Sequence, residues 1–347
     1  TIDPPKEDIV ADMIWGIDPY TGIIQLSKLV PLHILYMEQH VDATGLTWDK
    51  YTHAFAEYVL KNKKGDILEI GGGSGKLANI ILDKDNEVNY TVIEPNPTFK
   101  ERNNLKVVKS FFTKEFKGEL DPNSTVIFSQ VYEHAYDPEE FLTEITEFLP
   151  IGGKMVFAYP QLEHWFKNKF TNAINFEHTL LMTDHYVDYF LQKTGFKIIE
   201  KIEYEKHSHF YTVEKVSSIL DISYNGISNH YQHYKEMFKS FIDYHIELVD
   251  DINKRIDNTD SPVFLFGGHI FSQYLINFGL NTSKIINILD NSPPKQEKRL
   301  YGSTLIVKSP KILADYKKPI VILKAALYND EIKEDILNNI NPYTLFI

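Results

Sequence analysis

The chain has 347 residues, 43% hydrophobic and 24% charged, an ordinary balance for a globular protein with room for two domains. Its formal charge of −12, from 36 basic and 48 acidic residues, argues against a nucleic-acid backbone as partner, which asks for a basic face. Cysteine is absent, which removes disulfides, thiol nucleophiles and cysteine zinc sites together.

No apolar run approaches the roughly 20 residues of a membrane span, and a cytoplasmic location is expected. The opening TIDPPKEDIVADM carries no basic-then-apolar leader and no initial Met, so a trimmed or processed end is expected. Residues 1–64 read as a helical N-terminal segment, with a proline-bearing turn in VPLHILYMEQH. Residues 65–215 alternate short β-rich runs with amphipathic stretches. The runs are DILEI, NYTVIEP, LKVVKSFF, STVIFSQV, KMVFAYP and FKIIEKIEY. GKLANIILDK and PEEFLTEITEFL have helical apolar spacing, and TDHYVDYFLQKTG ends on a glycine stop. This alternation predicts an α/β fold with a doubly wound parallel sheet. Residues 216–257 are poor in Gly and Pro and read as a helical connector, and DNTDSP marks a boundary. Residues 258–347 read as a second, smaller α/β domain, from VFLFGGHIFSQYLINFGL through IINILD to PIVILKAALYNDEIKEDIL. The two glycine-bearing strand–turn–helix units share a layout but no sequence repeat.

In DILEIGGGSGKLANIIL, Gly71, Gly73 and Gly75 let the backbone turn sharply from strand to helix, where a Cβ would strike the turn or a ligand. The helix N-terminus offers free N–H groups to a carboxylate or phosphate. A P-loop needs Gly-x-x-x-x-Gly-Lys-Ser/Thr, but Leu77 follows Lys76 and Ile70 stands at the first glycine position. A dinucleotide fingerprint can be drawn through Gly73, Gly75 and Ala78 with Glu94 on a ribose, but it leaves Glu69 unexplained. A carboxylate at a strand tip repels a pyrophosphate and suits a cation. S-Adenosylmethionine (SAM), with a sulfonium, an ammonium and no phosphate, fits Glu69 better.

On these residues the sequence resembles the class I SAM-dependent methyltransferases, which implies their Rossmann-like sheet and SAM as cofactor. Glu69-x-Gly71-x-Gly73-x-Gly75 is similar to their glycine motif. Glu94, with Pro95 after it, falls where the family's acidic residue grips the ribose hydroxyls. Ser110 and Phe111, opening the FFTKEF region, fall where adenine usually sits. FSQVYEHAYDPEEFL resembles the family's fourth strand and the turn after it, with Ser129, Val131, Glu133, His134, Asp137 and Pro138, and Ser129 and Gln130 are expected at the cofactor. PIGGKMVFAYP resembles the glycine turn into the fifth strand.

A narrower resemblance is to the C-methyltransferases of nucleotide-linked sugars, which pair this domain with a C-terminal α/β domain. LFGGHIFSQYLINFG and LDNSPPKQEKRLYGSTLIVKSP follow that family's order, with Asp290, Asn291, Pro294, Lys295, Gln296, Gly302 and Pro310 matching. INFEHTLLMT resembles its Glu-His element, so Glu177 and His178 carry over, His178 as the base, while Asn175 stands where the family has Tyr. Gln130 and His134 carry over as pocket residues. DATGLTWDKYTHAFAEYVL resembles the family's N-terminal helix entry. The family's four-cysteine zinc segment has no counterpart here.

The resemblance implies methylation of a small polar acceptor, a nucleotide-linked sugar, in surface polysaccharide or natural-product biosynthesis. The acceptor is expected in the cleft between the catalytic sheet and the C-terminal domain. A carbon nucleophile needs a base and a donor for the enolate oxygen, a hydroxyl needs a base, and an amine needs orientation; the choice stays open, as does the state of association. His178, Glu177 and His134 are the catalytic candidates, although His134 also reads as a helix-start residue. Tyr159 at the end of the fifth strand, His209 and Tyr211 are candidate acceptor contacts. His207-x-His209 reads as strand alternation as readily as a metal pair, and no metal site is expected. The acidic DPEEFLTEITEF reads as a solvated helix face. A non-sugar N- or O-methyltransferase, a SAM-binding scaffold without catalysis and an NAD-linked enzyme are the alternatives.

Overall fold

A computed structural model of the chain describes residues 1–36, 45–113, 121–217 and 230–347. Parts of VPLHILYMEQH, DATGLTWDK and FFTKEF, and the start of the expected connector, lie outside the described residues. The chain divides into two compact units.

One unit holds residues 15–163 and 176–231. It begins with an antiparallel hairpin, β1 (Trp15–Ile17) and β2 (Ile24–Leu26). Helices α1 (Leu32–Leu35) and α2 (Leu46–Asn62) follow, so the expected helical N-terminal segment is helical only in part. The hairpin arises because Asp18 accepts from the N–H groups of Tyr20 and Thr21, the local bonding that favours a turn over a helix. Next come β3 (Ile67–Ile70), α3 (Lys76–Lys84), β4 (Tyr90–Ile93), β5 (Leu105–Val108) and β6 (Thr125–Ser129). Then α4 (Pro138–Phe148), β7 (Lys154–Pro160), the first two residues of α5 (Leu162–Lys167), α6 (Asp184–Lys193), β8 (Phe196–Tyr204) and β9 (Ser208–Lys215) complete the series, the rest of α5 falling in the other unit.

The seven strands lie in the order β5-β4-β3-β6-β7-β9-β8. All pairings from β5 to β7 are parallel, whereas β9 is antiparallel to both neighbours. The six runs expected as strands form β3 to β8, and the alternating SHFYTVEK segment supplies β9, inserted between β7 and β8. Strands β3 and β6 are buried on both faces, as a sheet covered by helices requires. Asp137 caps α4 by accepting from Glu140 N at 2.8 Å, with Pro138 at the first helical position and two glutamates in the first turn. Gly195, with φ +93°, ends α6 as the glycine stop predicts. Phe55 and Val59 of α2, Ile81 of α3, Ile127 of β6 and Phe210 of β9 share one buried core.

The other unit comprises residues 1–14, 164–175 and 232–347. It contains most of α7 (Tyr231–Asp257), then β10 (Val263–Phe266), α8 (Ile270–Asn277), β11 (Ile285–Leu289) and β12 (Val307–Lys308). It ends with β13 (Ile320–Ile322), α9 (Asn329–Asp335) and β14 (Leu345–Phe346). Its five strands are all parallel, in the order β12-β11-β10-β13-β14. The segment expected as a connector belongs to this unit's core: Val249, Ile252 and Ile256 of α7 pack with Val263, Leu265 and Ile288. The N-terminus is tied to it by the Arg299 guanidinium, which donates to both carboxylate oxygens of Asp8. Lys295 and Gln296 hold a turn, donating to the Asp290 carboxylate at 3.2 Å and the Asp290 carbonyl at 2.9 Å.

Because Ile252 is fully packed in that core, Ile252→Ala should destabilise the protein by about 2–5 kcal/mol. Chemical denaturation measures this, and a loss under about 1 kcal/mol would show α7 to be a detached connector.

Candidate functional site

Three glycines build the turn between β3 and α3. Gly71, Gly73 and Gly75 have φ of +75°, +53° and +76°, the left-handed region that glycine enters without strain. A Cβ on Gly71 would lie 2.6 Å from a Val131 methyl, and one on Gly75 would lie 2.6 Å from the Phe99 ring. The turn closes by donation from Gly75 N to Gly72 O at 2.8 Å, and α3 starts at the next residue.

Glu94, just past β4, fastens this turn from the neighbouring strand. Its carboxylate accepts from Gly73 N at 3.0 Å through one oxygen and from Asn96 N at 2.9 Å through the other. Each oxygen keeps a further lone pair, so the group can still receive two hydroxyl donors.

Glu69 sits beneath the turn rather than on an open strand tip. It is 2% exposed, accepts from the Tyr90 hydroxyl at 2.9 Å, and lies 3.3 Å from where a Gly72 Cβ would stand. Burial pushes its carboxyl up to about 7; the Tyr90 hydrogen bond opposes that rise and the Glu94 charge adds to it. Any pull it exerts on a cation acts from below the backbone, strengthened by the dry surroundings.

A second cluster forms where β6 ends. Gln130 takes a left-handed conformation, φ +56°, and Tyr132–His134 make one tight turn. Val131 in this segment is the residue that Gly71 approaches, so the cluster adjoins the glycine turn. Glu133 is 3% exposed and its Oε2 has no hydrogen-bond partner among the described residues. Burial pushes this carboxyl up to about 8. The His134 ring lies 4.9 Å from the His178 ring, and His134 Nδ1 lies 3.7 Å from Glu177 Oε2. Tyr36 joins the two clusters: its carbonyl accepts from Asn96 Nδ2 at 2.9 Å, and its ring stands edge-on to His134 at 6.5 Å. Burial first, then the charges of Glu177 and Glu133, hold the Tyr36 hydroxyl protonated.

Residues 40–201 match the family model described as a methyltransferase domain. The chain carries a SAM-dependent methyltransferase domain. The glycine turn, the two-oxygen acceptor at Glu94 and the buried Glu69 suit SAM, which offers hydroxyl donors and positive charge and brings no phosphate. No curated protein matches the sequence. Among solved structures, a chain of the Haloferax volcanii complex between the Trm112 methyltransferase activator and a methyltransferase is 14% identical, with TM-score 0.37, over 48% of this chain and 91% of that one. Burkholderia thailandensis 1,6-didemethyltoxoflavin-N1-methyltransferase is 11% identical, with TM-score 0.35, over 50% of this chain and 82% of that one. An O-methyltransferase family protein from Burkholderia thailandensis is 9% identical, with TM-score 0.39, over 50% of this chain and 57% of that one. None of these likenesses assigns an acceptor to the methyltransferase described here.

Several residues singled out in the sequence take other positions in the methyltransferase domain. The Ser129 hydroxyl bonds the Tyr51 hydroxyl at 2.7 Å, and Gln130 Nε2 donates to Tyr51 and Ser208. Both side chains take part in one polar network with Tyr51. Tyr159 and Tyr211 are fully buried, donating to Met182 O at 2.5 Å and Asp188 Oδ1 at 2.9 Å. His209 pairs with Asp184 at 3.2 Å, while His207 packs on Trp48 and Tyr51; the two do not converge on a metal. Desolvation pushes His207 down to about 4, keeping it neutral in that core. Phe111 is exposed, Ser110 is half-buried, and Pro95 is half-buried beside Glu94. Glu133 was matched only as part of a motif; a carboxylate in an otherwise ordinary helix-start turn gives no sequence sign of burial.

The raised Glu69 carboxyl has a stability consequence. Between its unperturbed value of 4.5 and about 7, the unfolded chain has released this proton while the native protein keeps it, so the group lowers stability as pH rises. The Glu69→Gln variant should gain on wild type from pH 5 to 7, at no more than about 1.4 kcal/mol per pH unit. Denaturant midpoints across pH check this; a difference independent of pH would place Glu69 in water.

Proposed function

We propose that this methyltransferase acts on a small polar acceptor, a nucleotide-linked sugar methylated on carbon or oxygen, and that His178 with Glu177 and His134 handles the acceptor's proton. The observation that carries this reading is the His134–His178–Glu177 cluster beside the glycine turn, linked to it through Val131 and Tyr36. An amine acceptor needs only orientation, whereas a sugar carbon or hydroxyl must lose a proton as the new bond forms. A neutral imidazole is suited to receive it, having an unperturbed pKa near ~6.5.

SAM, when bound, supplies a methyl group activated by its sulfonium. The residues of this chain do the rest. Gly71, Gly73 and Gly75 keep side chains out of the turn so that backbone N–H groups reach a ligand, and Glu94 takes ribose hydroxyls on its spare lone pairs. Ser110 and Phe111 are assigned to the adenine, and the 46% exposed Phe111 ring gives an apolar face for it. A proton on the acceptor's C–H or O–H passes to an imidazole nitrogen of His178. Glu177, 3.7 Å from His134 Nδ1, steadies the positive charge that develops on the histidine pair.

Two substitutions divide the reading. Gly73→Val should abolish SAM binding in calorimetry, since a β-branched side chain is strained at φ +53°. His178→Ala should keep SAM affinity while losing roughly 100-fold or more in turnover with the accepted member of a nucleotide-sugar panel. Unchanged turnover removes His178 from the mechanism, and turnover confined to non-sugar metabolites removes the sugar.

A further inference from the structure

The geometry points to a metal site: Glu133, His134 and His178 form a pocket for one divalent transition-metal ion. These three side chains bring one ligand-type atom each to within 4.8 Å of one another. Two chain segments build the trio, the tight turn after β6 and the stretch ahead of α6.

Glu133 supplies an independent reason. Its Oε2 is buried and has no hydrogen-bond partner among the described residues, and an oxygen of the same carboxylate is one of the three clustered ligand atoms. A buried polar oxygen left without a partner is unfavourable, and a cation answers that need. Among the described residues, no lysine or arginine is ion-paired to it. The two imidazoles beside it are themselves ligand groups, so the three together present a donor set and not merely a negative patch.

The donor types select the ion. Two imidazoles with one carboxylate suit Zn²⁺, Fe²⁺ or Co²⁺, whereas Mg²⁺ and Ca²⁺ ask for oxygen throughout. Bonds of about 2.1 Å place ligand atoms on one ion at most about 4.2 Å apart. The observed spread, within 4.8 Å, lies near that limit. Glu177, 3.7 Å from His134 Nδ1, is the kind of carboxylate that orients a ligating imidazole. Three protein ligands leave coordination positions open, where an acceptor oxygen would be polarised. With the ion in place His178 is engaged as a ligand, and Glu177 becomes the group that receives the acceptor's proton. The site itself does not depend on the acceptor being a sugar.

The test is a Co²⁺ titration of the full, tag-free chain without SAM or acceptor, followed by calorimetry and visible absorption. Wild type should take up one Co²⁺ per chain, displaced by Zn²⁺ and not by Mg²⁺. Glu133→Gln and His178→Gln, which keep side-chain size, should each weaken Co²⁺ binding roughly tenfold or more while SAM binding persists. No uptake by wild type, or uptake equally strong in both variants, overturns the site. SAM binding measured on the same samples tests the methyltransferase reading separately, so failure of one is distinguishable from failure of the other.

Discussion

The carboxylate of Glu94, accepting from the backbone of Gly73, is the interaction on which the cofactor end of this protein depends. It fixes a left-handed glycine turn to the end of the adjacent strand, whose register with β3 runs Ile67↔Tyr90 to Ile70↔Ile93. Remove the acceptor and the turn keeps its glycines but loses the partner that holds it open. The second unit uses the same device: Gly268 N donates to Asp290 Oδ2 at 2.8 Å, again from a glycine turn after one strand to a carboxylate past the next. In both sheets a short acidic side chain replaces the backbone partner that a turn lacks.

Two buried carboxyls show how differently one chemistry can be housed. Glu69 has the Tyr90 hydroxyl as donor and sits below the turn, where it shapes the field without touching solvent. Glu133 has the stronger upward pull on its proton and an oxygen with no donor. The first is consistent with a ligand-sensing group held in place; the second is consistent with a group awaiting a positive partner. Glu69 lies beside Gly72, and Val131, two residues before Glu133, lies beside Gly71, so both carboxyls belong to the surroundings of the one glycine turn.

Beneath the same sheet end runs a neutral polar network of Tyr51, Ser129, Gln130, Ser208 and His207. Its hydroxyls and amide satisfy one another, and burial keeps His207 uncharged. This network explains why Gln130 accepts a left-handed backbone: the strain turns its amide inward, to Tyr51 and Ser208, and sets the following turn on which Glu133 and His134 ride. Support for the site thus comes from α2 and β9, elements far from it in sequence.

Local pattern determined much of this protein. Alternating β-rich runs and amphipathic stretches sufficed for β3 to β8, α3, α4 and α6, because a covered parallel sheet forces near-continuous apolar strands and striped helices. The glycine spacing with Glu69 and Glu94 was equally legible, since glycine is the residue that enters the left-handed region without strain. The β1–β2 hairpin was not, because short Asp-capped turns carry little periodicity. Only the tertiary structure decided that β9 enters antiparallel between β7 and β8, that α7 joins the second core, that Tyr159 and Tyr211 are fully buried, and that Glu133 meets two histidines. Those outcomes depend on which distant segments share a space, and burial by distant neighbours leaves no mark on the residues beside it in the chain.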